Sequence, residues 1–307
     1  MKTMSHNEVL ALDIGGSKTH AVRAIGGVVA AESIVGSANV ASVGAVEAGR
    51  QLDVVIDRLG GPAGIGAVCA GAAGVDTPES AKVLRDLIID RLPNARVRVV
   101  HDSQLILAAA GVIDGIALIS GTGSVAWGRM GAASARAGGW GYLLGDEGSG
   151  YWVAREAIRR LLARMDDHHP GQPLGQELAA DCGLSDAAEL LNHFYAQTDR
   201  RYWAGRARVV FELANAGDPL STGIVDAAST ALAELVLQVG ARLQMSGPVV
   251  MAGGLVVNQP ALQRGVRRIL AGRGVTDVRV LSVDPVRGAV ELAQRLSYPE
   301  PSMKGQR

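Results

Sequence analysis

Cysteine is nearly absent from this sequence. Cys69 and Cys182 are the only two, far apart and without CxxC or CxH spacing, which excludes a disulfide framework and a zinc site; both are expected to be buried apolar fillers. No sign of charge predominates, since 30 Lys and Arg balance 30 Asp and Glu, so a polyanion surface is not the expected partner and no nucleic-acid role is indicated. Long apolar runs are missing at the start of the chain. Residues 1–9 are polar and the run that follows is broken by Asp13, too early for a signal-peptide core or a membrane span. A cytoplasmic protein with no membrane partner is expected. No GxxxxGK[ST] loop occurs, which excludes a Walker-type phosphate site. Aromatics are scarce at 4%, whereas glycine is abundant at 40 residues; with 48% hydrophobic residues this composition points to tight turns and close backbone approaches, not to disorder.

At 307 residues the chain can form two domains of about 150 residues each. Apolar or alternating runs at 9–14, 19–24 and 27–32 predict a three-stranded meander. Helical spacing of Ala45, Gly49, Leu52, Ile56 and Leu59, ending at Gly60-Gly61-Pro62, predicts a helix packed on it. A strand at 65–70, a helix at 78–92, a strand at 97–100 and a helix at 103–110 complete a mixed α/β layout. Near residue 115 the pattern restarts. Ile116-Ala-Leu-Ile-Ser-Gly-Thr-Gly-Ser-Val-Ala-Trp127 resembles residues 10–21, each an apolar strand, a Gly/Ser/Thr turn and a return strand, so the repeat is of whole domains. The boundary is placed at residue 110, giving domains 1–110 and 111–307. The second domain adds a helix through Ala154, Ile158 and Leu161 and another behind the cap-like Asp218-Pro219, with further helical segments between them. A strand at 249–252, a helix near 260–270, a strand at 278–281 and a closing helix at 286–296 follow. The tail, 297–307, is predicted to be disordered.

Five segments carry chemistry. In Asp13-Ile-Gly-Gly-Ser-Lys-Thr19, Gly15 and Gly16 let backbone N–H groups approach a phosphate, Ser17 and Thr19 offer hydroxyls, and Gly15, Gly16, Ser17 and Lys18 are expected to bind ATP. Asp13, at a strand end, suits a hydrated Mg²⁺. Alone, this segment is equally an ordinary glycine hairpin. Ser120-Gly-Thr-Gly-Ser124 repeats it, and two such turns can clamp a nucleotide. The glycine-rich stretch from Gly138 to Gly150, with Trp140 and the Asp146-Glu147 pair, reads better as a binding loop than as core, although Trp140 alone fits core packing and Asp146 alone fits a helix cap. His101-Asp102-Ser103 follows a strand, where open α/β sheets place their ligands, and Asp102 can accept the proton of an attacking hydroxyl. In isolation Asp102 fits a helix N-cap better. Val249-Val-Met-Ala-Gly-Gly-Leu255 can let an adenine lie on the backbone at Gly253-Gly254, or be a plain strand-to-helix turn. His168-His169 beside Asp166-Asp167 reads as a solvated loop, His20 and His193 have no partner suggested by spacing, and Arg155, Arg159 and Arg160 are expected on a solvent face.

With these segments in order, the chain resembles the N-acetylglucosamine kinase branch of the BadF/BadG/BcrA/BcrD family, within the actin, sugar kinase and heat-shock ATPase superfamily. The resemblance spans residues 10–296. It implies two actin-like (ribonuclease H-like) ATPase domains with an interdomain cleft, the closing helix 286–296 returning to the first domain. It further implies an ATP-dependent kinase that phosphorylates a small-molecule amino sugar at its 6-hydroxyl, N-acetylglucosamine first and glucosamine as the alternative, with ATP and Mg²⁺ as cofactors; a homodimer is common in such families. Under it Ser17 and Thr122 contact ATP phosphates, and Ala204 and Gly254 line the nucleotide site. Asn39, Asp102, Gly139, Trp140, Gly141 and Asp146 bind the sugar, and Asp102 is the catalytic base. The iron–sulfur activators of the family need cluster cysteines, which this chain lacks. Val125 stands where some N-acetylglucosamine kinases carry a sugar-holding Asn. Two competing readings remain: a non-catalytic sugar sensor, against which both Asp13 and Asp102 are kept, and an ATPase that drives a partner protein, which would hydrolyse ATP without sugar.

Overall fold

In the computed structural model the described residues are 8–75, 78–167 and 172–297; His168, His169 and the segment 298–307 lie outside them. The chain divides into two compact units, Met1–Ile113 with Ser282–Arg307, and Asp114–Leu281. The first begins with the meander β1 (Glu8–Ile14), β2 (Lys18–Ile25) and β3 (Val28–Gly36), then α1 (Val40–Arg58), β4 (Ile65–Ala72), α2 (Pro78–Arg91), β5 (Arg96–His101) and α3 (Asp102–Ala109). β1 is buried on both faces, as its unbroken Val-Leu-Ala-Leu run requires, whereas the edge strand β3 alternates in and out along most of its length. α1 starts five residues before the apolar periodicity. Asn39 caps it, its side chain accepting from the Ala41 N–H at 3.0 Å, and Gly44 (φ +78°) kinks the first turn, so the regular stripe becomes visible only from Ala45.

The second unit comprises β6 (Gly115–Ser120), β7 (Ser124–Met130), β8 (Ala133–Gly138), α4 (Gly150–Asp166), α5 (Pro173–Asp181), α6 (Leu190–Ala196), α7 (Arg200–Asn215), α8 (Pro219–Leu243), β9 (Val249–Ala252), α9 (Gly254–Asn258), α10 (Pro260–Ala271) and β10 (Val278–Val280). Asp218 caps α8, accepting from the Ser221 N–H at 2.8 Å, with Pro219 in the first turn. By length and composition α8 is apolar enough to cross a membrane. Here that apolar surface packs on β6, β7 and β8 and against α4, α7 and α10. Trp203 and Phe211 are the largest fully buried side chains, and His193 does have a partner, its Nε2 lying 2.7 Å from the Tyr202 hydroxyl. Cys69 is fully buried, and burial pushes its thiol up to about 12; Cys182 is only half-buried.

The last helix, α11 (Val286–Ser297), packs on β1, β4 and α3 of the first unit. Gly288 permits this contact, since a Cβ there would lie 2.0 Å from the Leu105 carbonyl oxygen. One face of the first sheet buries Leu10, Leu12, Leu52, Val55 and Ile88, and the other buries Ala11, Val22 and Leu105 with Ala289 and Leu292.

The two sheets share one topology. Their strand orders are β3-β2-β1-β4-β5 and β8-β7-β6-β9-β10, each with two antiparallel pairings on the hairpin side and two parallel pairings beyond the central strand. The similarity between residues 10–21 and 116–127 is therefore the trace of a duplicated five-stranded unit. In each unit the glycine turns follow the central strand, at the end where parallel sheets receive ligands.

Candidate active site

In the first unit the turn between β1 and β2 is tight, the Gly15 N–H donating to the Lys18 carbonyl at 2.9 Å, and Gly16, Ser17 and Lys18 are exposed. Neither Gly15 nor Gly16 has a positive φ, and a Cβ on either would meet its nearest neighbour at 3.4 Å. Thr19 does not join this turn as a ligand. It is fully buried, and its hydroxyl oxygen accepts from the Ala38 N–H at 2.8 Å. Asn39, 4% exposed, uses its oxygen to cap α1 and one amide N–H on the Ala73 carbonyl at 2.9 Å, which leaves one N–H for a ligand.

Asp13, at the end of β1, is raised to about 6 by burial and by the charges of Asp102 and Asp284, against the opposing His20 and Lys18. Asp102 opens α3 but is not its cap; His101 occupies that position. The Ser103 N–H lies 2.7 Å from Asp102 Oδ1 and 3.3 Å from His101 Nδ1, and that same nitrogen stands 3.0 Å from Asp102 Oδ1. One nitrogen cannot both donate and accept, so the shorter contacts assign the Ser103 N–H and a His101 N–H to the carboxylate. Burial pulls Asp102 upward, but the bond and charge of His101 with the Ser103 donors outweigh it and hold the carboxyl below its ordinary value. It is ionised and ready to take a proton. Asp284 and His20 carried no signal by spacing. His20 Nδ1 lies 3.2 Å from Asp284 Oδ1 and its Nε2 2.7 Å from Glu32 Oε1, linking residues 264 positions apart. No group of three or more His, Cys, Asp or Glu among the described residues forms a metal cage.

The second unit holds a cavity of about 430 Å³. Thr122, Ala204 and Gly254, from three distant parts of the sequence, all line it, joined by Gly121, Arg201 and Gln259. A Cβ on Gly254 would meet nothing within 4 Å, so this glycine leaves the cavity open without being required by packing. Gly253 is different: its φ is +98° and a Cβ would lie 2.5 Å from the Ser120 carbonyl oxygen, so it fixes the turn.

The glycine-rich loop is laced to the β6–β7 turn. Ser120 Oγ donates to the Gly148 carbonyl at 2.9 Å, Ser124 Oγ to the Glu147 carbonyl at 2.7 Å, and the Gly150 N–H to the Gly121 carbonyl at 2.8 Å. Asp146 sits inside this lacing, 7% exposed and with φ +62°. Burial raises its pKa, opposed by the backbone groups of Ser124 and Gly141 that hydrogen-bond to it. Trp140 is 67% exposed, which removes the core-packing reading of that residue. Val125 lies against the loop, 3.0 Å from where a Cβ on Gly139 would stand.

The model of the BadF/BadG/BcrA/BcrD ATPase family matches residues 10–293. The chain belongs to that family. Among its relatives, the N-acetylmuramic acid/N-acetylglucosamine kinase of Clostridium acetobutylicum is 32% identical over 93% of this chain and 98% of its own length. The N-acetyl-D-glucosamine kinase of Dictyostelium discoideum is 27% identical over 75% of each chain. A solved structure from Porphyromonas gingivalis, named as a candidate N-acetylglucosamine kinase, superimposes with a TM-score of 0.72 at 24% identity, covering 94% of this chain and 99% of that one. The fold is the two-domain actin-like ATPase fold of sugar kinases, in agreement with the duplicated sheets.

Within this member of the BadF/BadG/BcrA/BcrD family, several sequence expectations change. His20 is buried and paired. Arg155 is not a solvent-face residue, since it donates to the Tyr142 carbonyl at 3.1 Å beside the glycine-rich loop, and Arg160 is partly buried on Glu156 at 2.7 Å. The glycines at 139 and 141 have positive φ, +71° and +85°, so the loop's own path requires them. Arg201 and Gln259 were missed because neither sits in a glycine turn; only the fold brings them to Thr122.

Proposed function

We propose that this chain is an ATP-dependent sugar kinase that phosphorylates an amino sugar at the 6-hydroxyl, with N-acetylglucosamine as the first substrate and glucosamine as the alternative. One observation carries the nucleotide half of this reading: Thr122, Ala204 and Gly254 line a single cavity of the second unit. The sugar half rests on the relatives' names and on Asp102. In the reaction the 6-oxygen attacks the γ-phosphorus, the new O–P bond forms as the bond to the ADP oxygen breaks, and the hydroxyl proton passes to Asp102. His101 and Ser103 keep that carboxylate ionised until then. Thr122 and the backbone of the Ser120–Ser124 turn hold phosphate oxygens, where positioning and charge neutralisation supply most of the catalysis.

The Asp13 side fits Mg²⁺. Its carboxylate is buried and crowded by the charges of Asp102 and Asp284, so a hydrated dication would relieve a repulsion that the protein alone leaves in place. When bound, the ion neutralises phosphate charge. Val125 presents an apolar surface to the loop that holds the sugar, and a site lacking one hydrogen bond to a buried polar group loses roughly 1 to 3 kcal/mol, about one to two decades of specificity. N-acetylglucosamine is accordingly ranked only narrowly ahead of glucosamine. Measured kcat/KM values for N-acetylglucosamine, glucosamine and glucose test this ranking. A glucosamine value tenfold above that of N-acetylglucosamine reverses it, and no activity on any of the three overturns the amino-sugar reading.

A further inference from the structure

The cavity of the second unit is lined by two glycines that the fold does not require. Along α7, Arg201, Ala204, Gly205 and Arg208 fall at i, i+3, i+4 and i+7, one face of the helix, and all four line the cavity with Gly254. Gly205 lies in the interior of α7 without a positive φ, and a Cβ on it would meet nothing within 4 Å outside its own helix. Glycine is the poorest helix former after proline, so alanine at this position would favour the fold. Gly254, at the start of α9, is equally free of a positive φ and of neighbours. At both positions the missing side chain serves only the cavity.

A side-chain amide on the same cavity is also left over by the fold. Of three amides close in sequence, Asn258 donates to the Gly254 carbonyl at 2.8 Å and Gln263 to the Val256 and Val257 carbonyls at 2.8 and 3.0 Å. Gln259 lines the cavity, half-buried, at the N-cap position of α10. Its side chain makes no cap bond and no other hydrogen bond among the described residues. Gly121 and Thr122 of the β6–β7 turn lie beside the start of α9, a Cβ on Gly121 falling 3.6 Å from the Gly254 nitrogen, whereas Gln259 follows the last residue of α9.

We infer that Gly205 and Gly254 leave a slot for the flat base of the nucleotide and that Gln259 reads the edge of that base. This rests on the nucleotide half of the kinase reading above, in which Thr122 holds phosphate. A planar ring fits where two elements present backbone without side chains. A carboxamide offers an oxygen acceptor and two N–H donors, the set that matches the amino group and the ring nitrogen N7 of adenine. Hypoxanthine carries an oxygen where adenine carries the amino group, so it accepts at both positions and leaves the amide oxygen unmatched. The amide thus gives the site a preference for ATP over ITP, set by one residue.

The test uses the full-length protein with N-acetylglucosamine held saturating and ATP or ITP varied. The wild type is compared with Gln259→Glu, Gln259→Lys, Gly205→Ala and Gly205→Leu, with ligand-free melting of each. Gln259→Glu, which only accepts, should raise the ATP-to-ITP ratio of kcat/KM about tenfold, and Gln259→Lys, which only donates, should lower it by as much. The added charge acts on both triphosphates alike and cancels in the ratio. Gly205→Ala should melt above the wild type yet raise KM for ATP several-fold, and Gly205→Leu should raise it about tenfold or more. A wild type indifferent to the base, a ratio that does not move in opposite directions in the two Gln259 variants, or an ATP KM unmoved by Gly205→Leu overturns the inference and leaves the kinase reading intact. If the wild type phosphorylates no sugar, the kinase reading falls, and calorimetric titration with the non-hydrolysable analogue AMP-PNP still decides the slot. Binding weakened about tenfold in Gly205→Leu supports it, and equal affinity overturns it.

Discussion

The carboxylate of Asp146 fills the space that a side chain on Gly123 would occupy, its Oδ2 2.8 Å from the position of a Cβ there. One acid thus sits against the β6–β7 turn while accepting from the backbone of Ser124 and of Gly141, the latter in the glycine-rich loop. Its left-handed backbone adds a cost that only a well-determined surrounding sustains. Asp146 therefore ties the β6–β7 turn to the glycine-rich loop. Asp146→Asn should lower stability by about 1 to 3 kcal/mol, because a donor replaces an acceptor opposite two N–H groups. It should raise KM for ATP and for the sugar together. A variant with unchanged melting and a rise only in the sugar KM would identify Asp146 as a simple sugar ligand.

Asp102→Asn removes the proton acceptor while keeping shape. Nucleotide binding and melting should be retained while kcat falls by about 10² to 10⁴, the usual contribution of a general base. Near-normal kcat would remove Asp102 from the chemistry.

Asp13 gives the pH dependence a sign. Its folded-state pKa of about 6 lies above the ordinary carboxylate value, so its protonated form favours folding, and that contribution is lost as pH rises through 6. Ionised Asp13 then costs on the order of 2 to 3 kcal/mol. Ligand-free Asp13→Asn should accordingly melt higher than the wild type at pH 7.5, and the difference should shrink as pH falls from 6 toward 4. Asp102, held low, stays ionised through this window, whereas Asp13 is expected to give an acidic limb of kcat/KM near pH 6. Raising Mg²⁺ should push that limb to lower pH, as metal competes with the proton. A limb that ignores Mg²⁺ concentration would contradict the assignment.

Gly254 tests the cavity without disturbing the fold. It has no positive φ and no neighbour within 4 Å of a Cβ, so Gly254→Val should leave melting within about 1 kcal/mol of the wild type. Its side chain would enter the cavity with Thr122 and Ala204, raising KM for ATP tenfold or more with less effect on the sugar KM. Unaltered ATP kinetics would move the nucleotide elsewhere.

Much of this was legible in the sequence because glycine turns and apolar strands are local. The repeat of residues 10–21 at 116–127 announced a duplication, and Asp218-Pro219 announced α8. What escaped depends on chain reversal over long distances. β8 is a run of Ala, Ser, Arg and Gly with no strand signature, and it exists because β7 offers it an edge. His20 meets Asp284 only because the chain after β10 comes back to the first unit, and Thr19 reads as a phosphate ligand until Ala38 is seen to use it. The approach of Arg200 to the Tyr142 ring joins distant parts of the sequence, which no spacing encodes.

The most direct measurement follows ADP release by the purified protein with ATP and Mg²⁺, with and without N-acetylglucosamine, and identifies the product by phosphorus NMR. The account predicts sugar-dependent ADP release matched one to one by a sugar 6-phosphate ester. ADP release at the same rate without sugar, and no phosphate ester formed, would contradict it and favour an ATPase that drives a partner protein.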